Sequence, residues 1–485
     1  MIREAIAQRP TLLLLLLCLW HLGFWVLAPA LSYSMLPLDT LELLGWGREW
    51  QLGYYKHPPL GAWLGEAVLQ LSGGRLEALY LFAQLLVVAS FAYVYGVARL
   101  YLDPLRAVLA VALLEGSYFH TVLTPNFNMN SLQIPIWAGL SYHFLRALDT
   151  DALRHWLAFG LFCALAVLAK YSGLLPIACC GLVLLLTARG RQRLAGRGPW
   201  LAALVALALL APHLYWLTGH WQLPLDYLES FDRGETGLEA HLLEPLRFAA
   251  GSLAGLAPAA LLWLLLRGRG AQAETRSGVP VPLLALCFGP LLLSMAYGAL
   301  SGSHLKTTWA FPFYSLAGVL AMLPLDRERV RRHLGRFLAA LGALLLLTAC
   351  LHLLYKTRWG DSKTRFDGPA LARTVAAAWQ EETGRPLRIV IGDHIDSAIV
   401  AAYAKDRPHM LIRGDFRISP WIAPTDLERF GAVWLCRQPG PCPALRERTL
   451  RPRMIEVSGQ RFELAILPPA GASPGPPSPI AKEPS

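Results

Sequence analysis

The feature that most constrains this chain is a succession of long apolar runs. A helix needs roughly 20 mostly apolar residues to cross a bilayer. Hydrophobic residues make up 55% of the 485 residues and charged residues only 16%, whereas soluble domains are about one quarter charged. We therefore expect a polytopic α-helical membrane protein with about 11 transmembrane helices. The expected spans are 11–31, 76–98, 106–124, 131–148, 155–170, 172–188, 199–217, 246–266, 280–300, 307–325 and 337–355.

The basic residues predict how these spans are oriented. The chain has more Lys and Arg than Asp and Glu, which gives a formal net charge of +11. Most of the excess basic residues lie in short loops between apolar runs, such as 189–197 and 327–336. Cytoplasmic loops are rich in Lys and Arg. If the short run 59–72 lies along the membrane surface, all the Arg-rich loops fall on the side of the N-terminus. The N-terminus is then cytoplasmic, and the residues after about 356 lie on the opposite side.

The character of the chain changes near residue 357. Residues 1–356 form the expected transmembrane core. In residues 357–468 charge rises and the apolar runs shorten, so we expect a small α/β domain with buried strands. The predicted strands are 388–392, 410–413 and 432–436, and a predicted amphipathic helix covers 371–380. Residues 469–485 are rich in Pro, Ser and Gly and are expected to be disordered.

The densest polar stretch, LDTLELLGWGREWQLGYYKHPPLGAWL at 38–64, follows the first apolar run directly. A carboxylate just past a membrane helix is placed to deprotonate or orient an acceptor hydroxyl. Asp39 is the candidate, and Glu42, one helical turn later, faces the same side and is the second candidate. The alternative is a helix N-terminus, because the four residues from Asp39 to Glu42 also fit a capping box.

The same stretch ends in Lys56-His57-Pro58-Pro59. A departing lipid phosphate needs a cation to stabilise its developing charge. Lys56 at the membrane interface can supply it, with His57 as a second phosphate ligand. The alternative is a Lys side chain that reaches the interface, followed by a helix that starts at the Pro pair.

Two further cations lie in segments assigned to the outer side. Lys170 separates two short apolar helices, and Lys306 follows His304 in another outer segment. A charged residue at membrane depth is a functional candidate by default. We expect Lys170 to contact a phosphate or pair with an Asp, and His304 and Lys306 to bind the lipid phosphate.

Amides and tyrosines near these segments are candidates for binding the sugar or acceptor: Tyr55, Asn128, Asn130 and Tyr171. Asn128 and Asn130 could equally cap the helix that follows them. Asp232, Arg233 and Glu235 are weaker acceptor candidates, and a solvated loop is the alternative for them.

The spacing of the cysteines and of the acidic residues bears on two features, a disulfide and a metal site. Cys436 and Cys442 bracket a Pro-Gly turn, which predicts a disulfide in an oxidising compartment. The chain has no CxxC pair and its outer segments have no DxD, so no metal site is predicted, although a divalent ion is left open. No soluble cofactor is expected. Nucleic-acid binding is not expected either, because no soluble basic region is interleaved with aromatics.

At this point the residues resemble a known family. The stretch 38–64 resembles the first outer loop of bacterial GT-C glycosyltransferases of the protein-mannosyltransferase-like group, which includes enzymes that add aminoarabinose to lipid A. The hallmark is an acid after the first helix and then a Lys/His-Pro-Pro-Leu turn. The segments 127–137, 168–171 and 304–306 are similar to further loops of this group. The resemblance covers about residues 10–360.

The resemblance implies a GT-C membrane core in a bacterial inner membrane, a polyprenyl-phosphate sugar donor and inversion at the anomeric carbon. Asp39 falls at the position of the family acid, and Lys56, with Lys170 or Lys306, where cations meet the lipid phosphate. Relatives often carry a second Asp on the second outer loop. Asn128 or Asn130 stands there in this chain, which puts a metal-dependent or two-acid mechanism in doubt.

Together these observations predict an inner-membrane glycosyltransferase that works at the periplasmic face. The C-terminal domain would be periplasmic. The acceptor is left open between a glycan such as lipopolysaccharide, a lipid and a protein. One alternative is a flippase that binds lipid-linked sugars without chemistry. It is disfavoured because the polar groups gather on one side, whereas a transport path needs them in both leaflets. Another alternative is an assembly factor with a degenerate core.

Overall fold

The computed structural model describes residues 8–230, 237–268, 278–359, 363–440 and 452–470, together with Ile6 and Cys442. Asp232, Arg233, Glu235 and residues 471–485 of the expected disordered tail lie outside the described residues. The chain divides into two compact units. The first comprises Met1–Ser32 and Gln51–Gly360, and the second comprises Tyr33–Trp50 and Asp361–Ser485.

Helices dominate the N-terminal three quarters of the chain. They are α1 Pro10–Ser32, α2 Leu38–Gly47, α3 Leu60–Leu71, α4 Ala78–Ala98, α5 Pro104–Ala112, α6 Met129–Thr150, α7 Leu153–Ala169, α8 Leu174–Leu186, α9 Ala188–Leu194, α10 Gly198–His220, α11 Gln222–Glu229, α12 Glu244–Ala254, α13 Ala257–Arg267, α14 Val281–Ser301, α15 Ala317–Met322 and α16 Arg327–Leu354. The C-terminal elements are α17 Gly368–Thr383, β1 Ile389–Gly392, α18 His394–Tyr403, β2 His409–Ile412, α19 Pro424–Phe430, β3 Ala432–Gln438, β4 Arg453–Val457 and β5 Gln460–Leu467.

The first unit is a bundle of apolar helices, as expected for a multi-pass membrane protein. Among the described residues, five helices are long and apolar enough to cross a membrane, and seven if each of two bent pairs is one span. The five correspond to α1, α4, α10, α14 and α16. The bent pairs contain α8 with α9, at 98°, and α12 with α13, at 54°.

Among the described residues, length and apolar character therefore support five to seven of the about 11 expected spans. The predicted span 106–124 is wrong, because α5 ends at Ala112 and two 3-10 turns follow it. The predicted span 307–325 is a 3-10 turn followed by the short helix α15. Helix α7 has 17 residues, and α6 has no stretch as apolar as those of the five long helices. The run 59–72 forms α3, a 12-residue helix, and its place along the membrane surface stays a prediction.

A buried polar network crosses the first unit at a place where sequence reasoning expected only apolar contacts. The side chains of His21, Gln84 and Glu115 are at most 2% exposed. The His21 Nδ1 donates to Glu115 at 3.0 Å, and Nε2 lies 3.0 Å from the Gln84 side-chain oxygen. Thr124 donates to the same Gln84 oxygen at 3.1 Å. The expectation that all unusual polar residues gather in outer segments is therefore wrong.

The second unit contains a five-stranded sheet in the order β2-β1-β3-β5-β4. Strands β1, β2 and β3 are parallel, and β5 pairs antiparallel with β3 and β4. The small C-terminal α/β domain is therefore confirmed, and β1 to β3 lie close to the predicted strands. Sequence reasoning missed β4 and β5; β4 exposes most of its side chains and lacks a buried apolar run. Cys436 and Cys442, the pair to which a disulfide was assigned, are joined by one.

Helix α2 is also part of this second unit, although sequence reasoning placed residues 1–356 in one core. The reason is packing. Helix α2 lies against α18, and Gly45 of α2 faces the side chain of Met410 in β2. The Leu36 amide, just before α2, donates to the Tyr403 hydroxyl at 2.7 Å. The helix that carries both candidate acids thus belongs to the α/β unit.

Candidate active site

The turn before α3 is held in a fixed shape within the first unit. The Tyr54 amide donates to the His57 carbonyl at 3.0 Å. The His213 Nδ1 donates to the Leu52 carbonyl at 2.8 Å. Because Nδ1 is then the protonated nitrogen, Nε2 accepts from the Tyr171 hydroxyl at 3.3 Å. Tyr171, a candidate sugar ligand, therefore helps to orient His213, which sequence reasoning missed.

Lys56 lies between two aromatic rings. Its ammonium is 5.2 Å from the centre of the Tyr55 ring and 5.6 Å from that of Tyr227. Both distances are within the range of cation–π attraction, which acts on a charge without neutralising it. The edge of the His57 ring contacts Tyr227, with 5.6 Å between ring centres. The two rings therefore restrain the position of the Lys56 ammonium within the stretch 38–64.

His57 is buried, at 9% exposure. Burial lowers its pKa well below the usual range, and the positive charges of Lys170 and Lys56 lower it further. Both lysines must lie near the imidazole for their charges to act in this way. His57 is therefore neutral at pH 7, so it can offer a phosphate a hydrogen bond but no positive charge.

Lys170 is the second cation near His57. Its ammonium donates to the Asn130 side-chain oxygen at 2.7 Å and lies 5.3 Å from the centre of the Trp309 ring. An amide and an aromatic ring thus hold the ammonium of Lys170. We call Lys56, His57, Lys170, Asn130 and Trp309 the lysine cluster.

The break in the chain at Lys170 has a local cause. Helix α7 ends at Ala169, and Lys170 is extended, with φ −165° and ψ 142°. The Gln133 side-chain amide donates to the Ala166 carbonyl at 2.8 Å and to the Lys170 carbonyl at 3.3 Å, so it bridges the two sides of the break. A Cβ at Gly173 would lie less than 3.0 Å from the Ala166 carbonyl group, so this turn requires glycine.

Asn128 and Asn130 have different roles in the structure. The Asn128 side-chain oxygen accepts from the amides of Asn130 at 2.9 Å and Ser131 at 3.0 Å, and the Ser131 hydroxyl accepts from the Asn128 amide. This is a capping box at the start of α6, the structural alternative for Asn128. Asn130 instead contacts Lys170. Sugar contact by either amide, or by Tyr55, stays a prediction.

His304 lies in a separate ionic group. Its Nδ1 donates to Glu244 at 2.6 Å, and Arg247 donates to the other Glu244 oxygen at 2.9 Å. This pairing differs from the phosphate contact predicted for His304. Lys306 is exposed, and its carbonyl accepts from the Trp309 amide at 2.8 Å. Lys306 thus begins the short turn that carries Trp309.

In the second unit, α2 presents the two candidate acids differently. Asp39 is exposed in the first turn, and Glu42 is 5% exposed. The capping box predicted from Asp39 to Glu42 is wrong, because the cap residue is Pro37 and it makes no side-chain cap bond. A carboxylate is still favoured near this helix N-terminus by the helix dipole. Of the two acids, Asp39 is therefore the more exposed.

Metal binding has no candidate in the part of the chain that the structure describes. No three His, Cys, Asp or Glu side chains there are grouped so that they could hold an ion.

Comparisons with known proteins bear on this arrangement. Residues 56–216 match a family model described as dolichyl-phosphate-mannose-protein mannosyltransferase. The lipopolysaccharide core galacturonosyltransferase RgtB of Rhizobium johnstonii is 26% identical over 65% of this chain and 66% of its own length. RgtA of the same organism is 28% identical over 40% of this chain and 39% of its own length. The chain thus matches less than two thirds of either relative.

The fold also has a solved counterpart. ArnT from Cupriavidus metallidurans, crystallised with undecaprenyl phosphate, superposes with a TM-score of 0.64 at 15% identity, over 94% of this chain and 97% of ArnT. The apo form of ArnT gives 0.63 at 14% identity, over 95% and 98%. The chain therefore has the GT-C fold. The resemblance seen in the first outer loop is confirmed, and the chain is related to the bacterial GT-C glycosyltransferases.

Proposed function

We propose that this chain is an inner-membrane glycosyltransferase that moves a sugar from a polyprenyl phosphate to an acceptor hydroxyl at the periplasmic face, with inversion. The observation that carries the proposal is the lysine cluster. The positive charges of Lys56 and Lys170 act on the buried, neutral imidazole of His57, which lies in the same stretch 38–64 as Asp39. ArnT, which shares the fold, was crystallised with undecaprenyl phosphate.

The lysine cluster supports the departure of the lipid phosphate. As the bond between the anomeric carbon and the phosphate oxygen breaks, negative charge develops on that oxygen. Lys56 and Lys170 carry fixed positive charges held by aromatic rings and by Asn130, so they need little reorganisation to stabilise it. His57 adds a hydrogen bond without adding charge. Lys306 is proposed as a further phosphate ligand, and His304 keeps this role only as a weaker proposal because it pairs with Glu244.

Asp39 is proposed to receive the proton of the acceptor hydroxyl. The acceptor oxygen forms its bond to the anomeric carbon on the side opposite the phosphate, which inverts the configuration. The carboxylate of Asp39 is exposed, whereas Glu42 is buried, so Asp39 is the better base and Glu42 the secondary candidate. No soluble cofactor takes part in this sequence of bond changes.

The relatives suggest the substrates. Both are named lipopolysaccharide core galacturonosyltransferases. We therefore propose lipopolysaccharide as the acceptor and galacturonic acid linked to polyprenyl phosphate as the first donor to assay. Membrane lipids surround the first unit and deliver the donor.

The test uses the full chain in proteoliposomes with radiolabelled polyprenyl-phosphate sugars and an envelope extract as acceptor. Wild type is compared with Asp39→Asn and with Glu456→Gln, an exposed acid of β4 that serves as the control. We expect wild type and Glu456→Gln to label the acceptor and Asp39→Asn to lose at least 100-fold in rate, roughly the contribution of a general base. Equal rates in wild type and Asp39→Asn would remove Asp39 from the proposal. No transfer by wild type with any donor would contradict the proposed function.

A further inference from the structure

Helix α2 is too short to set its own position. It has 10 residues, and isolated helices shorter than about 12 to 15 residues are marginal in water. Its location therefore depends on what it packs against. In this structure its partners are α18 and β2, which follow it in the sequence by more than three hundred residues.

The N-terminal approach to α2 is fixed by two backbone contacts. The Leu36 amide donates to the Tyr403 hydroxyl at 2.7 Å, and Tyr403 is the last residue of α18. The Ser34 amide donates to the Thr364 carbonyl at 2.8 Å. These contacts hold the chain three and five residues before Asp39, so a shift of α18 would move the carboxylate.

The C-terminal end of α2 is fixed by a charged contact. The Glu49 carboxylate, 6% exposed, accepts from His409 Nδ1 at 2.8 and 3.1 Å. His409 is the first residue of β2. Arg48 adds a longer bond to the Asp406 carbonyl at 3.4 Å. The strand at the edge of the sheet thus sets where α2 ends.

The middle of α2 lies directly on the sheet. A Cβ at Gly45 would be less than 3.0 Å from the end of the Met410 side chain, which is itself fully buried in β2. A side chain at position 45 must therefore displace either Met410 or the helix. Gly45 allows the close approach of helix and strand, and it lies between the two end contacts.

We infer that the C-terminal α/β domain is a positioning element that sets the location of Asp39, with Tyr403, Glu49, His409 and Met410 as positioning residues. The inference rests on the proposed function, because it explains how the proposed base is placed. A displacement of about 1 Å in a catalytic group can lower a rate by up to about 100-fold. The domain therefore acts on catalysis although none of these four residues is proposed to touch a substrate.

The test enlarges the side chain at position 45 of α2 and then shortens the side chain at position 410 of β2, in the full chain. Gly45→Leu fills the space of Met410 and should push α2 away from the sheet. Met410→Ala in the same chain frees most of the space that the leucine needs, and exchanges that come close to conserving volume are the ones that cores tolerate best. Gly23→Leu is the matched control, because a Cβ at Gly23 of α1 meets no atom within 4 Å.

Two readouts are taken for each variant. The first is amide hydrogen exchange in residues 38–47, which reports the position and order of α2 without any substrate. The second is the split between kcat and KM in the transfer assay. We expect Gly45→Leu to increase exchange in α2 and to lower kcat roughly 10- to 100-fold, with the KM for the donor unchanged. The double variant should recover both, and Gly23→Leu should resemble wild type.

A third pair of variants tests the charged contact. Glu49→Gln keeps an oxygen that accepts from His409, whereas Glu49→Ala does not. We expect Glu49→Gln to retain most of kcat and Glu49→Ala to lower it.

The outcomes separate the inference from the proposed function. Increased exchange in α2 with an unchanged kcat would overturn the inference and leave the proposed function standing. Unchanged exchange in Gly45→Leu, or a double variant that stays as impaired as the single one, would also overturn the inference. If wild type itself transfers no sugar, the proposed function fails, and the inference fails with it.

Discussion

The ammonium of Lys170 lies 2.7 Å from the side-chain oxygen of Asn130. This bond joins the residue after α7 to the first turn of α6, between two residues 40 positions apart in the chain. An amide oxygen accepts from the ammonium without neutralising it. The break in the apolar hairpin therefore places a lysine side chain against the start of α6.

Removal of this charge should weaken donor binding. We expect Lys170→Met to raise the KM for the polyprenyl-phosphate donor about 10- to 100-fold, the effect of losing one hydrogen bond to a charged group. Lys405→Met, an exposed lysine of the second unit, is the control. Steady-state kinetics over a range of donor concentrations measure the effect. If both KM and kcat were unchanged in Lys170→Met, Lys170 would have no part in binding the donor or in releasing its phosphate.

The buried imidazole of His57 should make the protein sensitive to acid. In the unfolded chain a histidine titrates near about 6.5, whereas burial and the two lysines hold the pKa of His57 well below that value. Below about pH 6.5 the unfolded chain therefore binds a proton that the folded chain does not, and the free energy of unfolding falls by up to about 1.4 kcal/mol per pH unit. Above that pH the contribution is fully present.

His57→Gln should remove this part of the pH dependence. Thermal unfolding of the purified protein between pH 7.5 and 5 measures it, with His241→Gln, an exposed histidine, as the control. The melting temperature of wild type should fall more steeply with acid than that of His57→Gln. Parallel curves for the two proteins would contradict the buried, neutral state of His57.

Any side chain at position 173, in the turn after Lys170, should destabilise the protein by steric overlap. Gly173 has ordinary helical dihedral angles, φ −57° and ψ −18°, so alanine is allowed by the backbone. Its Cβ would nevertheless overlap the Ala166 carbonyl group. We expect Gly173→Ala to destabilise the protein by about 1–3 kcal/mol, as overpacking does, and to lower activity through Lys170. Residual activity after heating in detergent provides the measurement.

Gly181→Ala is the matched control for that prediction. Gly181 lies inside α8, and a Cβ there meets no atom within 4 Å. Alanine in a helix interior is favoured over glycine by roughly 0.5–1 kcal/mol, so this variant should be as stable as wild type or slightly more so. If Gly173→Ala tolerated heat as well as Gly181→Ala, the steric account of the turn would be wrong.

Local patterns predicted some parts of this molecule well. The strands β1 to β3 and the disulfide each depend on residues close together in the sequence. The capping box at Asp39 failed because Pro37 precedes the helix and makes no side-chain cap bond. The span 106–124 failed because its apolar run does not reveal that the helix ends at Ala112 and continues as two 3-10 turns.

The sequence could not predict that α2 belongs to the second unit, because this depends on contacts between residues far apart in the chain. The position of α2 depends on Leu36 and Tyr403, 367 residues apart, and on the fit of Gly45 against Met410. Such contacts arise only when the whole chain has folded. The candidate acids of α2 could therefore be proposed from the sequence, but the elements against which α2 packs could not be predicted.

The central claim is that the protein transfers the sugar from the polyprenyl phosphate to the acceptor. The most direct test measures both products of this transfer. Purified wild type in proteoliposomes is given a doubly labelled donor, with one isotope in the sugar and another in the lipid phosphate, together with lipopolysaccharide. We predict one free polyprenyl phosphate for each sugar that appears on the acceptor. A donor that crosses the bilayer with both labels still joined, and no labelled acceptor, would contradict the account and identify a flippase.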